Sequence, residues 1–537
     1  MIALALFGAE AFAKDHFLII GGGYSPAGNQ LSIEANVIFL QDMLDASPSD
    51  RRSCDVYFAD GDDEQPDVQY HDDDAAGNCP PARRLLAEVF GDSDAAKTRY
   101  RNHRVRNVRG RTDSELLARR FRELGRELST GDRLIVFVTA HGSEAAPSDD
   151  YDYEDEEWTD SETEDSAEVP YNKFDTEIML WDEDAVSASQ FNRWLDRIGR
   201  DVAVVLVMGQ CYAGGFSHAI FHQNNAELGL SPHARCGFFA QVHDRPAAGC
   251  TPGNDIEEYV YLFWSALAGR TRDGQPVTSA DYDANGQVSL AEAHAYAMLA
   301  IATGDVPVRT SGAVLRRYSR LQGSPDQAPE ADEADDNPLK SLLGAIGAPQ
   351  DADGELKLRA ATGPLAAFEK DARPDQAAVI RGLSEKLQLQ PGATVESLRM
   401  KLRQLKNATA VAEAQAGVAS ATVDRTQTEA QDELCGKWPE LRHPYSPVVA
   451  ELTAERADEF VAQVRSMAAY EALCRAREKY NELLNAAAAA EAEQARAERL
   501  LQTIEEIALA ENLPKVAPAE VVARYEQILQ LESQPLN

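Results

Sequence analysis

The sequence predicts an α/β fold with a mostly parallel central sheet, followed by an all-helical C-terminal region. Three observations carry this. Val202-Ala-Val-Val-Leu-Val-Met208 is a Val-rich apolar run, the pattern of a strand buried on both faces of a parallel sheet. Arg133-Leu-Ile-Val-Phe-Val-Thr-Ala140 has the same character, with segments of helical periodicity on either side. Beyond residue 339 the chain is rich in Ala, Glu, Leu, Gln and Arg, the composition of long helices.

Size and charge narrow the function classes. A chain of 537 residues holds about two or three domains. The formal net charge of -37 argues against a nucleic-acid partner. No apolar run is long enough to cross a bilayer. The first 13 residues are short, apolar and end Ala-Phe-Ala, like the end of a secretory signal cleaved after Ala13. They lack a basic start, and Glu10 interrupts them, so a truncated signal and a short structured arm both fit. The expected division is 1–13 as that segment, 14–321 as an α/β domain, 322–338 as an acidic Pro-rich linker and 339–537 as a helical domain.

Seven cysteines bear on the compartment. Cys54 and Cys79, Cys236 and Cys250, and Cys435 and Cys474 lie close enough in sequence to suggest three bridges, which leaves Cys211 as an odd, reactive thiol. That reading favours a secreted or periplasmic protein. Reduced thiols in a cytoplasmic protein are the alternative.

In chain order, Asp15-His-Phe-Leu-Ile-Ile20 reads as a first strand running into Gly21-Gly-Gly-Tyr-Ser-Pro-Ala-Gly-Asn29. This glycine-rich turn fits neither phosphate-binding fingerprint, so it reads as one wall of a peptide cleft. Ile33, Val37, Leu40 and Leu44 share a helical face. Cys54 to Ala59 is a second strand. Thr112 and Glu115 form a capping-box signature before a helix expected to bury Leu116, Leu117, Phe121, Leu124 and Leu128. The third strand, Arg133 to Ala140, ends in His141-Gly142-Ser143. A dense acidic insert at 144–168 reads as a solvated loop. Thr176 to Trp181 reads as a strand or hairpin. Ser187 with Gln190 caps the next helix. The Val202–Met208 run then ends in Gly209-Gln-Cys-Tyr-Ala-Gly-Gly215.

Two neighbouring strands thus end in a histidine and in a cysteine. In a parallel sheet both ends lie along one edge, where open α/β sheets bind ligands. An imidazole there can take the thiol proton and later protonate a leaving amine. Gly142 lets its N–H approach a tetrahedral oxyanion, with the Cys211 N–H as the second donor. The plain alternatives are a strand-end histidine and a buried thiol that serve structure alone.

Strand–His-Gly-Ser, hairpin, helix and strand–Gln-Cys-Tyr-Ala-Gly-Gly together resemble the caspase/legumain superfamily of cysteine peptidases, the bacterial legumain-like branch most. The resemblance runs from about residue 15 to about residue 320. It implies a caspase-like three-layer sandwich, a His141–Cys211 dyad, Gly142 in the oxyanion hole and a protein or peptide substrate. The family places its histidine about 50 residues upstream of the cysteine. Here the acidic insert lengthens that gap. Gln210 abuts Cys211 directly, so the caspase Gln-Ala-Cys signature is not present, and Asp specificity is not carried over. The loop from Gly21 to Gln30 also lacks the arginine that the family uses there. The segment His243-Asp-Arg-Pro-Ala-Ala-Gly249 often lines the S1 pocket in the superfamily, so Asp244 and Gln210 are the expected substrate-binding residues. The resemblance also leaves a transpeptidase or an inactive scaffold as alternatives.

Asp281-Tyr-Asp-Ala-Asn-Gly-Gln-Val-Ser-Leu-Ala-Glu292 fits the EF-hand loop template. Asp281, Asp283, Asn285, the Gln287 carbonyl, Ser289 and a bidentate Glu292 are the expected Ca2+ ligands, with Gly286 at the sharp turn. An outgoing helix follows Ala291, but Gly274 and Pro276 disfavour an incoming one. A structural ion fits this better than a paired-hand sensor. In the tail, Val448 to Ala510 reads as one long amphipathic helix in a bundle or hairpin. This region is expected to bind a protein partner, to regulate or to act as a spacer.

Overall fold

In a computed structural model of the chain, residues 14–46, 49, 51–91, 97–146, 171–253, 257–323, 357–443 and 445–537 are described. The N-terminal segment 1–13, the acidic insert from residue 147 and the linker from residue 324 lie outside them.

The N-terminal part alternates strand and helix. It contains β1 (Asp15–Gly21), α1 (Leu31–Ala46), β2 (Arg52–Phe58), β3 (Val68–His71), α2 (Asp73–Asn78), α3 (Pro81–Phe90), β4 (Thr98–Arg101), β5 (Val108–Gly110), α4 (Ser114–Glu127), β6 (Arg133–Thr139), β7 (His141–Ser143), β8 (Glu177–Met179), β9 (Ala185–Ser187), α5 (Ala188–Leu195), β10 (Ala203–Met208), β11 (Arg235–Phe239), α6 (Tyr259–Ala268), α7 (Leu290–Ala300), β12 (Val308–Arg309) and α8 (Thr310–Tyr318). The helical part contains α9 (Leu365–Asp371), α10 (Pro374–Lys386), α11 (Val395–Lys437), α12 (Pro447–Thr453), α13 (Ala457–Arg465), α14 (Ala468–Val516) and α15 (Ala519–Glu532).

Seven strands form the main sheet in the order β12-β11-β10-β6-β1-β2-β5. Every pairing is parallel except that of β12 with β11. The expected α/β class with a mostly parallel sheet is therefore what the chain adopts. Strand alternation builds two cores. Phe17 and Ile19 of β1 face a layer that includes α1, α6 and α7, whereas Leu18 and Ile20 face α4 and α5. Because both faces are covered, β1, β6 and β10 are buried along their whole length, which is why they read as unbroken apolar runs.

The C-terminal helices share these cores. Leu513, Val521, Tyr525 and Ile528 sit in the same cluster as Phe17 and Trp264. At the amino edge of the sheet, the buried Arg133 guanidinium holds Asp15 at 2.7 Å and the Pro535 carbonyl at 2.9 Å. That contact ties the first strand to the last residues of the chain. α11 and α14 form a long antiparallel pair. Leu398 and Leu402 meet Leu500 and Ile504 near one end, and Leu434 meets Leu473 near the other. Residues 447–516 do not form one helix. α12, α13 and α14 are separate, and each boundary has its own cause: Pro447 and Ser446 start α12, and extended backbone at Met467 starts α14.

The seven cysteines are all free, so the three predicted bridges are not formed. Cys236 points into the sheet core, while Cys250 lies against the Ala140 carbonyl. Cys435 is buried between helices and Cys474 is exposed. Nearness in sequence did not bring these side chains together.

Candidate active site

The registers place both strand ends on one edge. Gly21 pairs with Thr139, and Val138 pairs with Met208. β6 leads through Ala140 to His141, and β10 leads through Gly209 and Gln210 to Cys211. Gly209 has its N–H on the Val138 carbonyl at 2.9 Å, so the two ends leave the sheet side by side.

His141 is held by the turn after β1. Its Nε2 lies 2.9 Å from the Gly28 carbonyl and 2.8 Å from the Gln30 side-chain oxygen. Both partners are acceptors, so Nε2 carries the proton and Nδ1 presents a lone pair in the neutral ring. Tyr24 packs edge-on against the imidazole, with centroids 5.3 Å apart. The glycine-rich turn is thus a wall of the cleft that also orients the histidine. It can turn so tightly because no Cβ fits at Gly23, where one would sit 2.0 Å from the Gly28 carbonyl oxygen. Burial lowers the His141 pKa below the ordinary imidazole value.

Cys211 lies against the loop after β11. Its thiol donates to the Ala247 carbonyl at 3.5 Å, and Tyr212 N–H donates to the Arg245 carbonyl at 3.0 Å. Burial raises the thiol pKa, and the Asp305 carboxylate adds to the rise. Backbone groups of Ala247, Cys211 and Gly142 act in the opposite sense. The backbone of Gly142 lies against the cysteine turn, where a donor to an oxyanion next to the sulfur would stand. Gly142 is pressed so closely that a Cβ would stand 2.3 Å from the Cys211 carbonyl oxygen. Among the described residues no hydrogen bond joins His141 to Cys211. The histidine hydrogen-bonds to the first turn instead, and the thiol to Ala247.

The two expected substrate-binding residues part company. Gln210 is fully buried, with its Cγ beneath Gly142, and neither of its amide atoms has a hydrogen-bond partner. It presents no surface to a substrate, because the tight Gly142 approach covers it. Asp244 is exposed in the loop that flanks Cys211. Sequence reasoning passed over the buried carboxylate of this region, Asp305. It accepts from Thr303 Oγ1 at 2.8 Å and from Ala248 N–H at 3.0 Å, and burial raises its pKa to about 6. No local pattern marks it, since apart from Thr303 its partners, Ala248 and Gln241, come from a distant loop.

The helical region reaches this edge from two sides. Arg245 pairs with Glu498 of α14 at 2.9 Å. On the other flank, Leu85 and Val89 of α3 pack on Leu434, Phe460 and Leu473. α3 follows β3, whose Gln69 N–H bonds to the Asn29 carbonyl at 2.8 Å.

The EF-hand-like loop lies at the opposite, amino edge, where Leu290 N–H meets the Gln534 carbonyl. Ligand atoms of Asp281, Asp283 and Glu292 come within 4.8 Å of one another. Gly286 has φ of +87°, which explains the glycine at the turn. Asn285 is exposed, and its Oδ1 accepts from Gln287 N–H at 2.8 Å. Ser289 caps α7: its hydroxyl accepts from Glu292 N–H, and the Glu292 carboxylate accepts from Ser289 N–H at 2.9 Å, which completes a capping box. No helix enters the loop, because α6 ends at Ala268 and a bridge between Arg270 and Pro276 intervenes. The outgoing helix α7 is present as expected.

No protein-family model and no curated protein matches the sequence. Among solved structures, the chain is similar to protein GSU0716 from Geobacter sulfurreducens. That match has 8% identity, covers 47% of this chain and 81% of that one, and has a TM-score of 0.25. A likeness so remote says nothing about activity.

Proposed function

We propose that the chain is a cysteine endopeptidase of caspase-like architecture, with His141 as base and Cys211 as nucleophile. The observation that carries this is the meeting of three features at one sheet edge. These are the Cys211 thiol, the Gly142 backbone pressed against the cysteine turn, and a histidine whose Nε2 is committed to the Gly28 carbonyl. In the proposed reaction, Nδ1 takes the thiol proton as sulfur attacks the substrate carbonyl. The N–H groups of Gly142 and Cys211 stabilise the oxyanion. The amine leaves with that proton, and water then resolves the thioester. The exposed Asp244 is the proposed P1 contact. The test is cleavage of a peptide library with varied P1, with labelling of Cys211 by a thiol-directed inhibitor in parallel. Cleavage that survives full labelling would overturn the dyad.

A second reading, an inactive scaffold, has one observation in its favour: His141 and Cys211 do not bond to each other, and the thiol is held above its ordinary pKa. Catalytic contacts are often long before substrate binds, which is why the peptidase reading is preferred. Absence of both cleavage and labelling would favour the scaffold.

The loop from Asp281 to Glu292 is proposed to hold a structural Ca2+, for which its hard oxygens suit. At 100 times its dissociation constant the ion would stabilise the fold by about 2.7 kcal/mol. Calcium is therefore expected to raise the melting temperature of the wild type over that in chelator, and to do so no longer in Asp283→Ala. An equal shift in both would remove the loop as its site.

A further inference from the structure

At the carboxyl end of β2 a second group of side chains is short of positive charge. Asp60, Asp67 and His103 bring ligand atoms within 4.8 Å of one another. His103 Nε2 lies 2.8 Å from the Gly61 carbonyl. A carbonyl only accepts, so Nε2 carries the proton and Nδ1 is a bare lone pair. That Nδ1 is shielded from solvent and has no partner, and the same holds for Asp60 Oδ1. Asp67 is buried. Its Oδ1 accepts from His103 N–H at 2.8 Å and its Oδ2 from Asn29 Nδ2 at 3.3 Å. Phe58 covers the imidazole, with ring centroids 5.2 Å apart. Asp60 Oδ1 and His103 Nδ1 are thus left without a donor in a group that also holds the buried Asp67 carboxylate. Leaving such groups buried without a cation is costly. Burial and the Asp67 charge push the Asp60 pKa up to about 7, which reflects the same shortage.

We propose that Asp60, Asp67 and His103 bind a divalent transition-metal ion of the zinc class. One nitrogen and two carboxylate oxygens suit such an ion, with further positions left for water. The ring N–H on a backbone carbonyl is the outer support that metal-bound histidines use. Calcium prefers six to eight oxygens and is poorly served here. The site also reaches the cleft. Asn29 holds Asp67 through both its main-chain and side-chain oxygens, and Asn29 stands between Gly28 and Gln30, the two residues that hold His141. The ion therefore fixes the turn that orients the histidine. This coupling rests on the peptidase reading, whereas the binding itself does not.

The test uses the full-length chain carrying Asp283→Asn and Glu292→Gln, so that the EF-hand-like loop does not compete. One equivalent of Co2+ is expected to give the visible absorption of a low-coordinate nitrogen–oxygen site and to be displaced by Zn2+. His103→Gln is expected to abolish the signal. Asp60→Asn is expected to weaken binding by about tenfold or more. Circular dichroism checks folding, and if His103→Gln does not fold, Asp60→Asn decides. A Co2+ spectrum unchanged by the variants overturns the site. No binding at all overturns it too, and a higher melting temperature in Asp60→Asn would then mean that the three groups share a proton instead. Peptide hydrolysis is read separately with and without Zn2+. Metal binding without any hydrolysis would leave the site standing and sink the peptidase reading.

Discussion

Cys211→Ala is expected to reduce peptide hydrolysis to background while leaving the melting temperature nearly unchanged. Deleting the nucleophile of a covalent mechanism costs on the order of 10^6-fold in kcat, and the binding groups that remain give little turnover. No other thiol can take its place. Cys250 is turned onto the Ala140 carbonyl and burial raises its pKa far above the ordinary value, and Cys236 is enclosed in the core. The loss of stability should be small because the Cys211 side chain is only partly buried and its hydrogen bond to the Ala247 carbonyl is a weak 3.5 Å contact. The pKa directions add a signature. His141 lies below the usual imidazole value and Cys211 above the usual thiol value. At neutral pH the resting pair is then a thiol and a neutral imidazole, not an ion pair. Alkylation of Cys211 by iodoacetamide should keep accelerating as pH rises past 9. The acid limb of kcat/KM should lie below 6.5, since only a protonated His141 stops acting as base. An alkylation rate that levels off near pH 6 would mean that a thiolate is already formed and that the general-base route is wrong.

How far the site was legible depended on how local its causes are. β6 and β10 could be read because burial on both faces leaves unbroken apolar runs, and the residues that end them follow directly. The EF-hand-like loop could be read because its oxygens must recur at fixed offsets within twelve positions. The α5 cap could be read for the same reason, and Ser187 accepts from Gln190 N–H as expected. The cap of α4 shows the limit. Thr112 has the right spacing, yet Asp113 is the cap, while Thr112 bonds to the Ala59 carbonyl and to Trp181 N–H. A distant strand end claimed the hydroxyl. The edge strands β5 and β12 span three and two residues and carry no periodicity to read. What holds His141, namely the Gly28 carbonyl and the Gln30 amide, lies more than 100 positions upstream. The docking of α14 and α15 on the sheet is likewise set by contacts between segments far apart in sequence. Such contacts leave no mark on either segment alone, and Asp305, Asp67 and Asn29 were missed for this reason.

Gly142→Ala is expected to lower kcat by about 10²- to 10³-fold, with a smaller effect on KM. The reason is steric before it is chemical. A Cβ at residue 142 would stand 2.3 Å from the Cys211 carbonyl oxygen and 2.9 Å from the Glu177 carbonyl oxygen. Both obstacles are backbone, one on the cysteine turn and one on β8, and neither can rotate away. The β7–β8 hairpin must therefore move off the cysteine turn and carry the Gly142 N–H with it. Removing one oxyanion donor costs about 10²- to 10³-fold in kcat, because it acts on the charge that develops in the transition state and not on the bound substrate. Overpacking of this kind also costs about 1–3 kcal/mol of stability, so a lower melting temperature should accompany the loss. Ser143→Ala provides the control. It removes only the 2.9 Å bond from the Ser143 hydroxyl to the Glu177 carboxylate, at the same hairpin, and should leave kcat within about threefold, because it puts no atom against the cysteine turn. If Gly142→Ala lowers the melting temperature and kcat does not change, the glycine is there for packing alone. The oxyanion would then have to be held by the Cys211 N–H without it.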